Sequence, residues 1–159
     1  PGTGDIQLTL TQKLQISGAL IVTTPQDIAL ADVSKGADMF RKVNTPVLGV
    51  IENMSGFSVD GIILDKGKTT EIEINGKKTK INAEGEFHLV LDLFKKGGGE
   101  SESKRLDVPL LGKIPVLEDI VRATDEGKPV VLQDGDSKSK KLYDNIVDQL
   151  LNQIKVKND

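Results

Sequence analysis

The chain has 159 residues, a formal net charge of −3 and a 28% charged composition, which fits one ordinary domain with a real core. A basic excess that would displace counterions from a polyanion is absent, aromatic residues are 3% with no Trp, and there are no cysteines. The charge and aromatic content argue against binding to nucleic acid, and the lack of cysteine excludes a disulfide scaffold, a Cys nucleophile and thiolate ligation within these residues. No apolar run approaches the roughly 18 residues of a membrane span, and no charged-then-apolar leader opens the chain. The expectation is a soluble, cytoplasmic globular domain.

Pro1-Gly2-Thr3-Gly4-Asp5 reads as a tight loop running into a helix, a loop that an α/β fold delivers from a preceding strand. The domain is therefore expected to be incomplete at its N-terminus. Asp5 is suited to cap a helix over 6–15, with Ile6, Leu10 and Leu14 on one face, and Gly18 breaks it. Ala19-Leu20-Ile21-Val22 is an apolar run of strand length, expected to be buried on both faces. Thr24 as cap, Pro25 in the first turn and Asp27 near the helix dipole start a helix to about Val43, with Ala29, Val33, Ala37 and Phe40 inward. A second buried strand spans Pro46 to Asn53 and finishes in a polar loop, Met54-Ser55-Gly56.

The texture then changes. Residues 59–82 alternate and are rich in Lys, Thr, Ile and Glu, and Asn75-Gly76 between Thr69–Ile74 and Lys77–Ile81 predicts a type I′ hairpin. Phe87 to Phe94 fits a strand or a short helix, and Gly97 to Lys104 a flexible loop or a weak helix start. Residues 59–105 read as an insertion on one α/β domain covering 1–159. The α/β pattern resumes with a strand over Val108–Pro115, a helix near Leu117–Glu126 stopped by Gly127-Lys128-Pro129, and a closing helix over about 137–154. Its stripe is Leu142, Ile146, Leu150 and Ile154, widened by Val147 and Leu151. The fold class expected is a parallel sheet with flanking helices plus an inserted β-hairpin.

Gly67-Lys68-Thr69 lacks a phosphate loop's spacing, since Gly61 is one residue too far upstream and a hairpin follows instead of a helix. It reads as a surface turn. His88, the only histidine, has no second His or Cys for a zinc site. Lys77, Lys78 and Lys80 face Glu71 and Glu73 across the turn and read as a solvated, charge-paired surface. Three places at strand ends are stronger candidates, because open α/β sheets bind ligands there. They are the loop Gly2, Thr3, Gly4 and Asp5, whose backbone N–H groups suit an anion; Glu52-Asn53-Met54-Ser55, where Asn53 offers a donor and an acceptor to a base edge; and Ile114-Pro115-Val116, which could line a flat ring.

In order, Pro1-Gly2-Thr3-Gly4-Asp5, Thr23-Thr24-Pro25-Gln26-Asp27-Ile28-Ala29-Leu30, Pro46 through Ser55 and Pro109 through Pro115 resemble the Mrp-type iron–sulfur cluster carrier ATPases, of the MinD- and ParA-like P-loop group. The resemblance covers most of the chain outside 59–96 and extends through Val130. It implies that the phosphate loop and the acidic residue that helps hold Mg²⁺ lie ahead of Pro1. It further implies that Gly2–Asp5 form the switch loop beneath the γ-phosphate, that Asn53 reads adenine, and that Pro115 and Val116 wall the base. It also implies ATP hydrolysis, a homodimer clamping the nucleotide, and protein clients that accept a cluster. Members commonly carry a Cys-x-x-Cys pair after the Asn-Met-Ser stretch that holds an iron–sulfur cluster between subunits. Here Phe57-Ser58-Val59-Asp60-Gly61 offers no thiolate. Two other readings stand beside this one: a MinD- or ParA-like positioning or partition ATPase whose hairpin binds a partner, and a non-enzymatic half-domain acting as a binding module.

Overall fold

The structure, a computed structural model, describes residues 5–65, 68–133 and 135–158. Apolar strands and helices alternate from the start: α1 (Asp5–Lys13), β1 (Ala19–Thr23), α2 (Asp27–Lys42) and β2 (Val47–Ile62). β1 and β2 run parallel, from Ala19 opposite Val47 to Thr23 opposite Glu52. β6 (Leu110–Val116) lies parallel along β2, from Val50 opposite Leu110 to Asn53 opposite Ile114.

Consecutive strand residues point to opposite faces, so β2 feeds two cores. Val50 joins Ile21, Ala37, Val47 and Leu106 beneath α2 and α3 (Gly98–Leu106). Ile51 joins Leu111, Ile114 and Ile146 beneath α5 (Lys138–Asn158), with Ile120 of α4 (Glu118–Asp125) packed alongside. The result is the expected α/β architecture, a parallel sheet flanked by helices. Among the described residues no helix is long and apolar enough to cross a membrane.

Several elements depart from the sequence reading. β1 is buried on one face only: Ile21 is 6% exposed, while Leu20 is 37% and Val22 55% exposed. α2 covers the face bearing Ile21, whereas α5 packs over β6 and β2. Val147 and Leu151, expected to widen the α5 stripe, are each 48% exposed, because the sheet meets the line of Leu142, Ile146 and Leu150 beside them. The start of α2 falls at Asp27 behind Gln26, and Thr24 does not cap it; its hydroxyl donates to Gln26 Oε1 at 3.3 Å.

The largest departure is β2 itself. It runs straight through the expected loop Met54-Ser55-Gly56, because a partner strand arrives from later in the chain. β5 (Glu86–Leu91) pairs with it antiparallel, from Phe57 opposite Leu91 to Ile62 opposite Glu86, so Phe87–Leu91 is strand. Phe57 pairs with Leu91 and also with Val116, which puts β5 on the edge of β2 opposite β6.

The hairpin forms as read: β3 (Glu71–Ile74) and β4 (Lys77–Lys80) meet through Asn75 and Gly76 at φ 50° and 75°, the left-handed pair that a type I′ turn requires. Lys77 is not part of a solvated face. Its ammonium donates to Val90 O at 2.6 Å and pairs with Asp92 at 2.7 Å, while Thr79 donates to His88 O at 2.9 Å. These side chains occupy carbonyls on the outer edge of β5 and blunt it against foreign strands.

Of the two readings of Gly97–Lys104, the helix start is the one found: α3 begins at Gly98 behind Gly97 and packs on the core with Glu102 and Ser103 buried. Arg105 clamps it to α2, donating to Asp38 and Glu102 at 2.9 Å each, and these acceptors raise the guanidinium's pKa further. Ser34 donates to Glu102 at 3.1 Å.

At the far end, Asp60 ties β2 to the start of α5. Lys138 Nζ lies 2.7 Å from its carboxylate and His88 Nδ1 lies 2.9 Å from it. The Lys138 hydrogen bond holds the Asp60 carboxyl below its ordinary range, outweighing the desolvation that opposes it, and the weaker His88 hydrogen bond acts in the same direction as Lys138.

Two outcomes follow from this packing. Leu111 is fully buried, so Leu111→Ala is expected to cost about 2–5 kcal/mol in urea denaturation. Lys138→Ala is expected to raise the Asp60 pKa towards the ordinary carboxylate range in a carboxyl NMR titration. The stability this group lends is whole above its unfolded pKa and is lost as pH falls through its lowered folded value, so wild type should be more stable than the variant above that window and no more stable below it.

Candidate functional site

The carboxyl ends of β2 and β6 meet at one irregularity. Asn53 lies opposite Ile114 and Phe57 opposite Val116, so Met54, Ser55 and Gly56 together face Pro115 alone. Proline has no N–H to give a ladder, which opens the pairing at this point. Met54 adopts φ 51°, an uncommon conformation for a residue without a short polar side chain. Its N–H donates to Asn53 Oδ1 at 2.9 Å. The Asn53 amide is thereby oriented, and among the described residues its NH₂ and a second oxygen lone pair are left for a ligand.

Of the residues expected to form a site, Asn53, Pro115 and Val116 are thus brought together by strand register. Gly2, Thr3 and Gly4 lie outside the described residues, and Asp5 is described only as the backbone start of α1.

Beside this bulge is an open cavity of about 740 Å³ lined by Glu52, Ser55, Gly97, Glu100, Lys113 and Pro115, among others. Its ionic rim is self-paired. Lys113 sits 2.8 Å from Glu100 and holds that carboxyl below its ordinary range. Lys77 and Lys96 lower Asp92 in the same way, at 2.7 and 3.0 Å.

Glu52 is different. It is 2% exposed, and Gly99 N–H donates to its Oε2 at 2.5 Å. The sequence reading placed this residue in the Glu52-Asn53-Met54-Ser55 candidate stretch without giving it a role, and did not connect it to the Gly97-Gly98-Gly99 run that meets it. A β-carbon on Gly99 would lie 2.7 Å from Glu52 Cβ, and one on Gly98 2.9 Å from Pro25 Cα. The glycines are therefore a close-packing device seating α3 between the turn after β1 and the end of β2. The run of three glycines was the available signal, and low helix propensity masked it.

A second polar cluster lies where Asp60, His88 and Lys138 meet. The cavity beside it, about 510 Å³, is lined by Asp60 and Lys138 together with Ser58, Asp119, Arg122 and Ser139. His88, read as incidental, has Asp60 as a partner, and Ser139 donates to Asp119 to join the starts of α5 and α4. Among the described residues no group of three or more His, Cys, Asp or Glu could hold a metal ion. The stretch 57–61 is strand paired with β5 and carries no thiolate. What the bulge offers chemically is recognition: an oriented amide beside a proline and an opened strand edge.

A family model described as ParA, NUBPL iron-transfer P-loop NTPase, matches residues 1–93 and 83–151. The chain is 39% identical over 155 residues to the iron–sulfur cluster transfer protein NUBPL of Mus musculus, covering 98% of this chain and 41% of that protein. It is 38% identical over 157 residues to the iron–sulfur cluster carrier protein of Deinococcus radiodurans, covering 99% and 37%. It therefore spans only about two-fifths of the length of these relatives. Among solved structures, the cell division ATPase MinD of Pyrococcus furiosus superimposes with a TM-score of 0.53 at 21% identity, covering 86% of this chain and 43% of that one, a likeness of fold alone. The nucleotide-binding protein of Archaeoglobus fulgidus in complex with ADP gives a TM-score of 0.51 at 29% identity over 80% of this chain and 42% of that one. The sheet, the helices on its two faces and this matched span agree: the chain belongs to the ParA/NUBPL family of iron-transfer P-loop NTPases.

Proposed function

We propose that this chain supplies the base-binding side of an adenine-nucleotide site in an iron–sulfur cluster carrier ATPase. The observation that carries the reading is the register that sets the oriented Asn53 amide against Ile114-Pro115-Val116 at the carboxyl ends of two parallel strands. Ligands of open α/β sheets bind at such ends. The names of the relatives, cluster carrier or transfer protein, and the ADP complex of the A. fulgidus protein support it.

In this reading Asn53 accepts from and donates to the edge of adenine, while Pro115 and Val116 pack along the ring. Gly2 to Asp5 act as a switch loop below the terminal phosphate. The phosphate loop and the Mg²⁺ ligands come from residues outside these 159. Hydrolysis is phosphoryl transfer to water, driven by positioning and electrostatics. The cluster is cargo for acceptor proteins, and with no cysteine in the chain its thiolate ligands also come from elsewhere. The exposed apolar residues Ile6 and Leu10 of α1, with Leu14 just after it, provide a surface for pairing two copies.

In the full-length gene product, Asn53→Ala is expected to weaken ADP binding by roughly tenfold, the worth of one or two hydrogen bonds, and to leave binding of inorganic tripolyphosphate unchanged. Calorimetry reads both, and equal ADP affinity in variant and wild type would contradict the base assignment. The 159-residue chain alone is expected to hydrolyse no ATP and to retain no cluster after anaerobic reconstitution. Turnover by that chain, or failure of the full-length product to hold iron, would overturn the carrier reading.

A further inference from the structure

Glu52 is a carboxylate almost wholly removed from water, and a charge in that setting needs compensation. Among the described residues its only hydrogen-bond donor is Gly99 N–H, at 2.5 Å, in the first turn of α3. The residue before α3 is Gly97, in the left-handed conformation at φ 80° and without a side chain to cap the helix. Glu52 takes the place of that cap from another element, with its negative charge at the positive end of the helix dipole. The fit is tight on both sides, since neither Gly98 nor Gly99 has room for a β-carbon. Lys113 of β6, paired with Glu100 at 2.8 Å, ties the same helix start to the strand that ends in Pro115.

Glu52 is also the residue directly before Asn53. With its side chain anchored in α3, the backbone leaving it has little freedom just where the ladder opens and Met54 takes its strained conformation. We propose that Glu52 is a positioning residue: its anchorage at the N-terminus of α3 fixes the Asn53–Gly56 bulge, and so the Asn53 amide, against Pro115. This rests on the nucleotide reading for its consequence, but the geometry it claims exists without any ligand.

The reporter is the Met54 amide, because its hydrogen bond to Asn53 Oδ1 exists only while the bulge holds its shape. The Val50 amide, bonded to Pro109 O at 2.9 Å in the same strand, reports global opening instead. Glu52→Gln keeps an acceptor for Gly99 but removes the charge, and Gly99→Ala strikes the same link from the other side. In the full-length gene product without nucleotide, Glu52→Gln is expected to speed Met54 amide exchange about tenfold, the difference between a charge-assisted and a neutral hydrogen bond. Val50 exchange should stay within about twofold of wild type, a change too small to reflect global opening. Gly99→Ala should give the same pattern at Met54. ADP affinity of Glu52→Gln should fall several-fold while tripolyphosphate affinity does not.

An unchanged Met54 rate would overturn the proposal. So would equal acceleration at Met54 and Val50, which is what a merely structural cap produces. If wild type and Asn53→Ala bind ADP equally well, the nucleotide reading fails, and the exchange data still decide the role of Glu52.

Discussion

One strand carries two different partnerships, and the change between them organises the molecule. Up to Asn53, β2 is the centre of a parallel sheet and contributes Val50 and Ile51 to the two cores. From Phe57 onward it is half of an antiparallel ribbon with β5. Between the two regimes the opposite residue is Pro115, which cannot donate to a ladder. The strand must open there, and the opening leaves an amide, a strained residue and a ring edge together at the end of the sheet.

The parts around this opening hold it from both sides. α3 is seated on Glu52 by glycines and clamped to α2 by Arg105 through Asp38 and Glu102. The ribbon is held at its far end by Asp60 with Lys138, and along its outer edge by Lys77 and Thr79 of the hairpin. The region in which family resemblance anticipates a cysteine pair is therefore a structured extension of the central strand.

Much of the parallel core was legible because its signals are local. The apolar runs at 19–22 and 47–51, the helix periodicity after Asp27 and the Asn-Gly turn need no knowledge of partners. What was not legible depends on distant residues. Met54-Ser55-Gly56 carries turn chemistry, and only the pairing with 86–91 makes a strand continue through it. Three glycines argue against a helix, and only the fit against Glu52 and Pro25 makes them its start. The apolar run in β1 could not tell one covered face from two. Asn53 and Pro115 were singled out by their places at strand ends, the resemblance gave them roles, and strand register brings them together. Glu52 stood in a candidate stretch, but its burial was not legible, because a glutamate at a strand end reads as polar until the helix that buries it is known.

The central claim is that nucleotide recognition occurs at the bulge between β2 and β6. Its most direct test is amide and side-chain chemical-shift mapping of ADP binding on the full-length gene product. The account predicts that the largest changes within this segment fall on the Asn53 side-chain amide and the Ile114 and Val116 backbone amides. Changes concentrated instead around Asp60, His88 and Lys138, with Asn53 unmoved, would contradict it.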